Sequence, residues 1–121
     1  MIREYIKREK QYLTETKGKT RIVERNEKIG VMTAFVPEGS DTIQIGWSKQ
    51  DKNKKHGFNR NLEVQIAEAR MLFATKYGDI NSPFWANKVP FSIRKDLTKF
   101  AKRVSRYYKN KNLPKWIEYV Q

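Results

Sequence analysis

The chain contains no cysteine, a single histidine and only 13 acidic residues among 121. Without cysteine there is no disulfide framework, Cys-ligated zinc site or cysteine nucleophile, and one histidine excludes a metal site built on two. No apolar run approaches the roughly 18 residues that span a membrane, and the polar start Met1-Ile2-Arg3-Glu4 is not a signal peptide. We therefore predict a cytoplasmic protein without a membrane segment, metal or cofactor.

Positive charge is what the sequence has in excess. Lys and Arg number 26, which gives a net charge of +13, and 12% of the residues are aromatic. These aromatics predict a core, and the length predicts one folded domain over residues 1–121. Residues 49–60 hold five basic residues and one acidic residue, and residues 94–115 hold nine and one. Because solubility does not require such clustering, it predicts a polyanionic partner.

Apolar periodicity predicts an α+β fold whose first half is mainly strand. A short helix is predicted at 2–13 and a loop at 14–20. Strands are predicted at 21–25, 29–36 and 42–48, joined as a three-stranded antiparallel β-meander. The middle strand is apolar in both alternating positions, which is typical of a strand that is covered on both faces.

Two amphipathic helices are predicted to cover one face of this sheet. The first spans about 61–77 with Asn61 as its N-cap, and the second spans about 92–109 with Ser92 as its N-cap. The tail at 113–120 is rich in apolar residues, so we expect it to dock on the sheet or the helices.

The second helix separates apolar and basic residues. Its apolar stripe consists of Ile93, Leu97, Phe100, Ala101, Val104 and Tyr108. Its basic stripe consists of Lys95, Lys99, Lys102, Arg106 and Lys109, with Arg103 beside it. The two stripes are centred about 160° apart at 100° per residue, so burial of one exposes the other.

Each like-charge pair four residues apart costs about 0.2–0.5 kcal/mol of helix stability, so the basic stripe is predicted to serve binding. The phosphate backbone of DNA or RNA is the expected partner. An acidic protein surface, anionic lipid and a merely solvated face are the alternatives. The absence of bulky apolar residues at the stripe boundary disfavours lipid.

The loop before the first helix is a second predicted phosphate-binding element. Its cations are Lys52, Lys54, Lys55 and Arg60. Asn and Gln side chains between them add neutral donors, and Gly57 allows close backbone approach. The alternative is an ordinary surface loop, in which His56 is an exposed side chain.

Aromatic residues supply a further candidate site. Phe84 and Trp85, between two prolines, are candidates for stacking on unpaired bases. For Trp85 the favoured alternative is a core anchor that fixes its loop. Trp47 and Trp116 are both predicted to lie in the core.

The sequence contains no recognisable catalytic set. Its glycines are not spaced as a phosphate-binding loop, no serine lies in a nucleophile elbow, and the acidic residues are scattered. Glu63 and Glu68 are five residues apart and do not share a helix face. The predicted function is therefore non-enzymatic binding of nucleic acid, mainly through phosphates and with little sequence preference.

Four short segments between residues 45 and 70 form one pattern: Ile45-Gly46-Trp47-Ser48, Asp51-Lys52, Gly57-Phe58-Asn59-Arg60 and Ile66-Ala67-Glu68-Ala69-Arg70. Over about 25 residues this pattern closely resembles that of small tailed-bacteriophage proteins without a settled activity. It implies a phage origin and action inside an infected bacterium, and it assigns no catalytic or binding residue. Because small phage proteins often take over host machinery, it also implies an alternative function, in which the basic surface binds and modulates a host protein that has an acidic surface.

Overall fold

The computed structural model describes residues 1–50, 58–77 and 83–120, and it confirms an α+β fold. The strands are β1 (Ile2–Thr16), β2 (Lys19–Phe35) and β3 (Gln44–Lys49), in one antiparallel sheet with the order β1-β2-β3. The helices are α1 (Arg60–Tyr77), the short α2 (Pro83–Asn87) and α3 (Arg94–Tyr107), with 3-10 turns at Phe91–Ile93 and Lys115–Tyr119.

The predicted N-terminal helix at 2–13 is wrong, because this segment is strand β1. It pairs with β2 along its whole length, from Ile2 opposite Ala34 to Thr16 opposite Lys19. Lys17 and Gly18 form the connection with φ of 54° and 75°. Positive φ at both positions is typical of the type I′ turn, whose twist matches that of a hairpin. Cross-strand pairing therefore outweighs the weak helical spacing of the apolar residues.

The strands predicted at 21–25 and 29–36 are one continuous strand, β2. Residues 26–28, which lie between the two predicted strands, pair with Glu9, Arg8 and Lys7 of β1. The register shifts between Ile6 and Lys7, where β2 contributes one extra residue, Ile29. Such a bulge absorbs an irregularity without ending the strand.

The two long helices lie on opposite faces of the sheet, rather than together on one face. Ile45 and Trp47 belong to the same buried cluster as Leu97 and Phe100 of α3. Gly46, which points the other way, lies against α1: a Cβ built on it would be 2.0 Å from the carbonyl oxygen of Ala67. We call the face that α3 covers the front face and the one that α1 covers the back face.

The front face holds the main apolar core. It joins Ile6, Met32, Ala34, Ile45 and Trp47 of the sheet to α3 and the C-terminal tail. Trp116, Ile117 and Val120 are buried, as predicted for a docked tail, and Trp47 is only 8% exposed. The prediction that the strand at 29–36 is covered on both faces is confirmed as well.

Both predicted helix caps are wrong. The side chain of Asn59, not Asn61, accepts a hydrogen bond from the Leu62 N–H at 3.1 Å and so caps α1. At α3 the N-cap residue is Ile93, which has no capping side chain. Ser92 instead accepts a hydrogen bond from the Lys49 Nζ at 2.6 Å.

Candidate nucleic-acid interface

Helix α3 is held against the sheet by four buried side chains. Leu97, Phe100, Ala101 and Val104 are each at most 1% exposed. The helix ends at Tyr107, and Asn110 with φ of 65° turns the chain away. Lys109, predicted to extend the basic stripe, therefore lies beyond the helix in the following turn. The helix is a fixed platform for the residues on its outer side.

Four cations project from that platform into solvent, and we call them the cationic face: Lys95, Lys99, Lys102 and Arg106. None of the four forms an ion pair with any residue that the structure describes. Arg103, predicted to flank the stripe, donates to the Glu4 carboxylate at 2.5 Å and is partly neutralised. The structure therefore places four of the six predicted residues of this helix segment together, without counter-charges.

The acidic residue closest to the cationic face in sequence is already neutralised. The guanidinium of Arg8 on β1 bonds both carboxylate oxygens of Asp96, at 2.5 and 3.0 Å, and donates to the Ser92 carbonyl. The hydrogen bond to Asp96 raises the pKa of Arg8 above its usual value. Sequence reasoning missed this contact, because 88 residues separate the partners and no local pattern marks it.

A groove of about 680 Å³ runs beside the cationic face. Among the residues that line it are Arg8, Phe91, Lys95, Asp96, Lys99 and Lys102. The Phe91 ring is 88% exposed, and the Arg94 guanidinium carbon lies 5.9 Å from its centre. Sequence reasoning also missed Phe91 as a site residue. The groove thus combines an exposed ring with positive charge.

Arg60 does not join this surface. It opens α1 on the back face, where its Nε donates to the Tyr5 hydroxyl at 2.7 Å. Desolvation favours a higher pKa for Tyr5, but the hydrogen bonds and charges of Arg60 and Arg3 outweigh it and lower the pKa. The other predicted loop cations, Lys52, Lys54 and Lys55, lie outside the described residues.

The predicted stacking residues line a cavity of about 320 Å³ at the β3 edge. Phe84 and Trp85 meet edge to face, with ring centres 5.3 Å apart, and Trp47 and Trp116 line the same cavity. The Lys88 Nζ lies 4.9 Å from the centre of the Phe84 ring. Phe84 is 52% exposed, whereas Trp85 is half-buried. Trp85 thus fits its alternative as a structural anchor, and Phe84 is the more accessible ring.

Arg70 closes this cavity from α1. Its guanidinium carbon lies 3.9 Å from the centre of the Trp47 indole, and its Nη1 donates to the Trp47 carbonyl at 2.9 Å. Desolvation lowers the pKa of Arg70, and the charge of Glu63 opposes the shift. The Arg70 and Lys88 cations thus lie over ring faces, to which they are attracted by cation–π interaction.

Residues 1–50, 58–77 and 83–120 contain no group of three His, Cys, Asp or Glu side chains placed to hold a metal ion. Within the same ranges, no helix is long and apolar enough to cross a membrane.

No protein-family model, curated protein or solved structure matches this chain. The resemblance to small phage proteins therefore stays a prediction, and the function has to be inferred from the geometry of the surface.

Proposed function

We propose that this protein binds nucleic acid without catalysis, mainly through phosphate contacts made by the cationic face of α3. The observation that carries the proposal is that Lys95, Lys99, Lys102 and Arg106 are exposed together and have no ion-pair partner among the described residues. Uncompensated cations on one surface attract a polyanion and release its condensed counterions on binding.

The platform beneath these cations supports the same function. Because Phe100 and Val104 are fully buried, α3 does not have to become ordered when a ligand arrives. Side chains three or four residues apart on a helix lie about 5–6 Å from one another. That spacing is comparable to the spacing of phosphates along one strand, so successive cations can contact successive phosphates.

The neighbouring ion pairs limit the repulsion that a phosphate would meet. Asp96 of α3 and Glu4 of β1 are each bound by an arginine. Neither carboxylate is left unpaired to repel a phosphate.

Three of the four cations of the cationic face are lysines, which act as point charges and not as the planar forks that read base edges. We therefore expect little sequence preference.

A second function uses the same surface, namely docking on the acidic surface of a host protein. The exposed ring of Phe91 beside the cations favours it, because protein interfaces place an aromatic anchor within a polar rim. Both functions place the protein in the cytoplasm of an infected bacterium, as the phage resemblance implies. Nucleic acid remains the main proposal, since the four cations outnumber this single apolar anchor.

A pair of matched variants tests the main proposal. Lys99→Gln with Lys102→Gln removes two charges from the cationic face, and Lys7→Gln with Lys28→Gln removes two charges from exposed lysines of β1 and β2. Binding to a fluorescein-labelled 20-base-pair DNA is measured by anisotropy. The first variant is expected to bind about tenfold more weakly, with a salt slope reduced by about 1.8. The second is expected to bind almost as the parent does.

A third variant, Lys99→Arg with Lys102→Arg, keeps the charge and is expected to keep the affinity. Equal losses of affinity from both Gln variants would show that only net charge matters and would contradict a binding site on α3.

A capture experiment from bacterial lysate, with and without nuclease, distinguishes the second function from the first. A host protein that is retained after nuclease treatment and lost from the Lys99 and Lys102 variant would favour protein docking instead.

A further inference from the structure

Strands β1 and β2 extend far beyond the segment that pairs with β3. β3 pairs with β2 only from Gly30 to Phe35, so residues 7–16 and 19–28 pair only with each other among the described residues. We call this two-stranded segment the β-ribbon arm. Ten residues of strand at about 3.3 Å each give it a length of about 33 Å.

The arm contributes little to the core. Leu13 and Ile22, which pair across it near the tip, are 76% and 65% exposed. Its side chains mainly contact one another: Lys10 forms an ion pair with Glu27 at 3.0 Å, and Gln11 donates to Glu24 at 3.2 Å. A two-stranded ribbon is only marginally stable without a third strand or a helix. Its length is therefore not explained by packing and points to a role at the surface.

Charge on the arm lies on one pleat face. Cross-strand partners share a face, and Arg8, which reaches α3, marks the front face. The charged residues of the front face are Arg8, Lys10, Lys19, Arg21, Arg25 and Glu27. Those of the back face are Lys7, Lys28, Glu9, Glu15 and Glu24. The front face thus carries five basic residues and one acidic residue, whereas the back face carries two and three.

The arm continues the line of α3. Asp96, near the start of the helix, is bound to Arg8, while Arg103, farther along, is bound to Glu4. The helix therefore runs antiparallel to β1, and its first turn points towards the arm. Between these two ion pairs, seven helix residues span about 10.5 Å and four strand residues span about 13 Å. The helix and the strand therefore cover similar distances. The front face of the arm starts where the cationic face ends.

We propose that the front face of the β-ribbon arm binds the phosphate backbone of duplex nucleic acid, in line with the cationic face of α3. The charge asymmetry of the arm selects a polyanion, and its extended shape selects a long, stiff one. The helix spans about 21 Å, so helix and arm together span about 54 Å. This length corresponds to about 16 base pairs at 3.4 Å each. The inference rests on the proposed function, because the arm and α3 contact one duplex.

Duplex length is the variable that tests the arm separately. The parent is measured by anisotropy on DNA duplexes of 8 and 20 base pairs, of which the shorter spans α3 but not α3 with the arm. The test variant is Arg21→Gln with Arg25→Gln on the front face. The control is Lys7→Gln with Lys28→Gln on the back face, which removes the same charge. Arg21→Lys with Arg25→Lys checks that charge is what matters.

The front-face variant is expected to bind the 20-base-pair duplex about tenfold more weakly than the parent, with the salt slope reduced by about 1.8. On the 8-base-pair duplex it is expected to match the parent. The back-face control and the Arg→Lys variant are expected to keep the parent's affinity on both duplexes. Circular dichroism of each variant checks that the strands are retained.

Three results would overturn the inference. If the front-face variant binds the 20-base-pair duplex as the parent does, the arm makes no backbone contact, and the proposed function of α3 still stands. If the front-face variant instead loses self-association in sedimentation while keeping its DNA affinity, the arm binds a second copy of the chain. If the parent binds neither duplex, the inference and the proposed function both fail.

Discussion

The layer that α1 forms with the sheet and the layer that α3 forms with it bury different kinds of side chain. The α3 layer is apolar inside, with Leu97 and Phe100 buried at 0% and 1% exposure, and cationic outside. The α1 layer buries polar side chains: Thr33, Gln44, Ser48 and Glu63 are all buried, and each has a side-chain oxygen without a hydrogen-bond partner among the described residues. Glu68 of α1 forms an ion pair with Arg3 of β1.

This difference shows that the excess positive charge is not spread evenly over the surface of the molecule. Of the two long helices, α3 carries the larger excess of positive charge, and repulsion between its lysines can be offset by burial of Phe100 and Val104. On α1, where the interface buries polar groups, the charged residues include both signs, as in Arg60 and Glu68. A strongly packed inner side therefore allows the outer side of α3 to be specialised for binding.

The largest effect is expected from the anchor of α3. Phe100→Ala should lower the free energy of unfolding by about 3–5 kcal/mol, because it removes a fully buried ring from the main core. Lys99→Ala, one residue away on the outer side, is the control and should change stability by less than about 0.5 kcal/mol. Urea denaturation measures both. Equal losses would contradict the separation of the two sides of α3.

The next effect is expected where α1 approaches the sheet most closely. Gly46→Ala should cost about 1–3 kcal/mol, because its new Cβ would lie 2.0 Å from the Ala67 carbonyl oxygen and α1 would have to move. Gly39→Ala is the comparison that separates backbone strain from a steric clash, since φ at Gly39 is +76° but nothing lies within 4 Å of the new Cβ. A stable Gly46→Ala variant with unchanged α1 amide exchange would show that the close contact does not fix the helix.

The smallest effect is expected from a buried hydroxyl of the α1 layer. Ser48→Ala should leave stability unchanged or raise it by up to about 1 kcal/mol, because the hydroxyl is buried without a partner in the described residues. Thermal unfolding measures the difference. A clear loss of stability would mean that the hydroxyl is hydrogen-bonded. The α1 layer would then differ less from the α3 layer, because its buried polar groups would have partners.

Much of the α3 side could be predicted from the sequence. The opposed stripes predict which residues of the helix are buried, and Leu97, Phe100 and Val104 confirm it. The covered middle strand and the docked tail are confirmed too. These predictions succeed because both patterns are local and strong: a 3.6-residue period on the helix, and an apolar run with no polar alternation on the strand.

The arm could not be predicted, because its residues have no buried face to set a period. Leu13 and Ile22 are exposed, so apolar alternation breaks down where the strand leaves the sheet. Lys17-Gly18 is a weaker turn signal than Asn-Gly, and residues 26–28 look like a turn although they pair across the ribbon. Only the long-range register distinguishes a strand from the short helix predicted at 2–13.

The candidate site could be predicted one element at a time but not as an assembly. The sequence assigns Arg60 to the basic loop and predicts that this loop and the basic stripe both bind nucleic acid, whereas the structure places Arg60 and the stripe on opposite faces of the sheet. The part played by Arg8 could not be predicted, because its pairing with Asp96 spans 88 residues. Charge pattern identifies cations, but the side of a sheet on which a helix packs is a tertiary property.

The salt dependence of binding tests the central claim most directly. The parent is compared with a variant in which Lys95, Lys99, Lys102 and Arg106 are all replaced by Gln, on one DNA duplex across a series of salt concentrations. Four lost phosphate contacts should make the slope of log K against log salt about 3.6 less steep. A parent slope near zero, or equal slopes for both proteins, would contradict the assignment of the cationic face of α3 as a phosphate-binding surface.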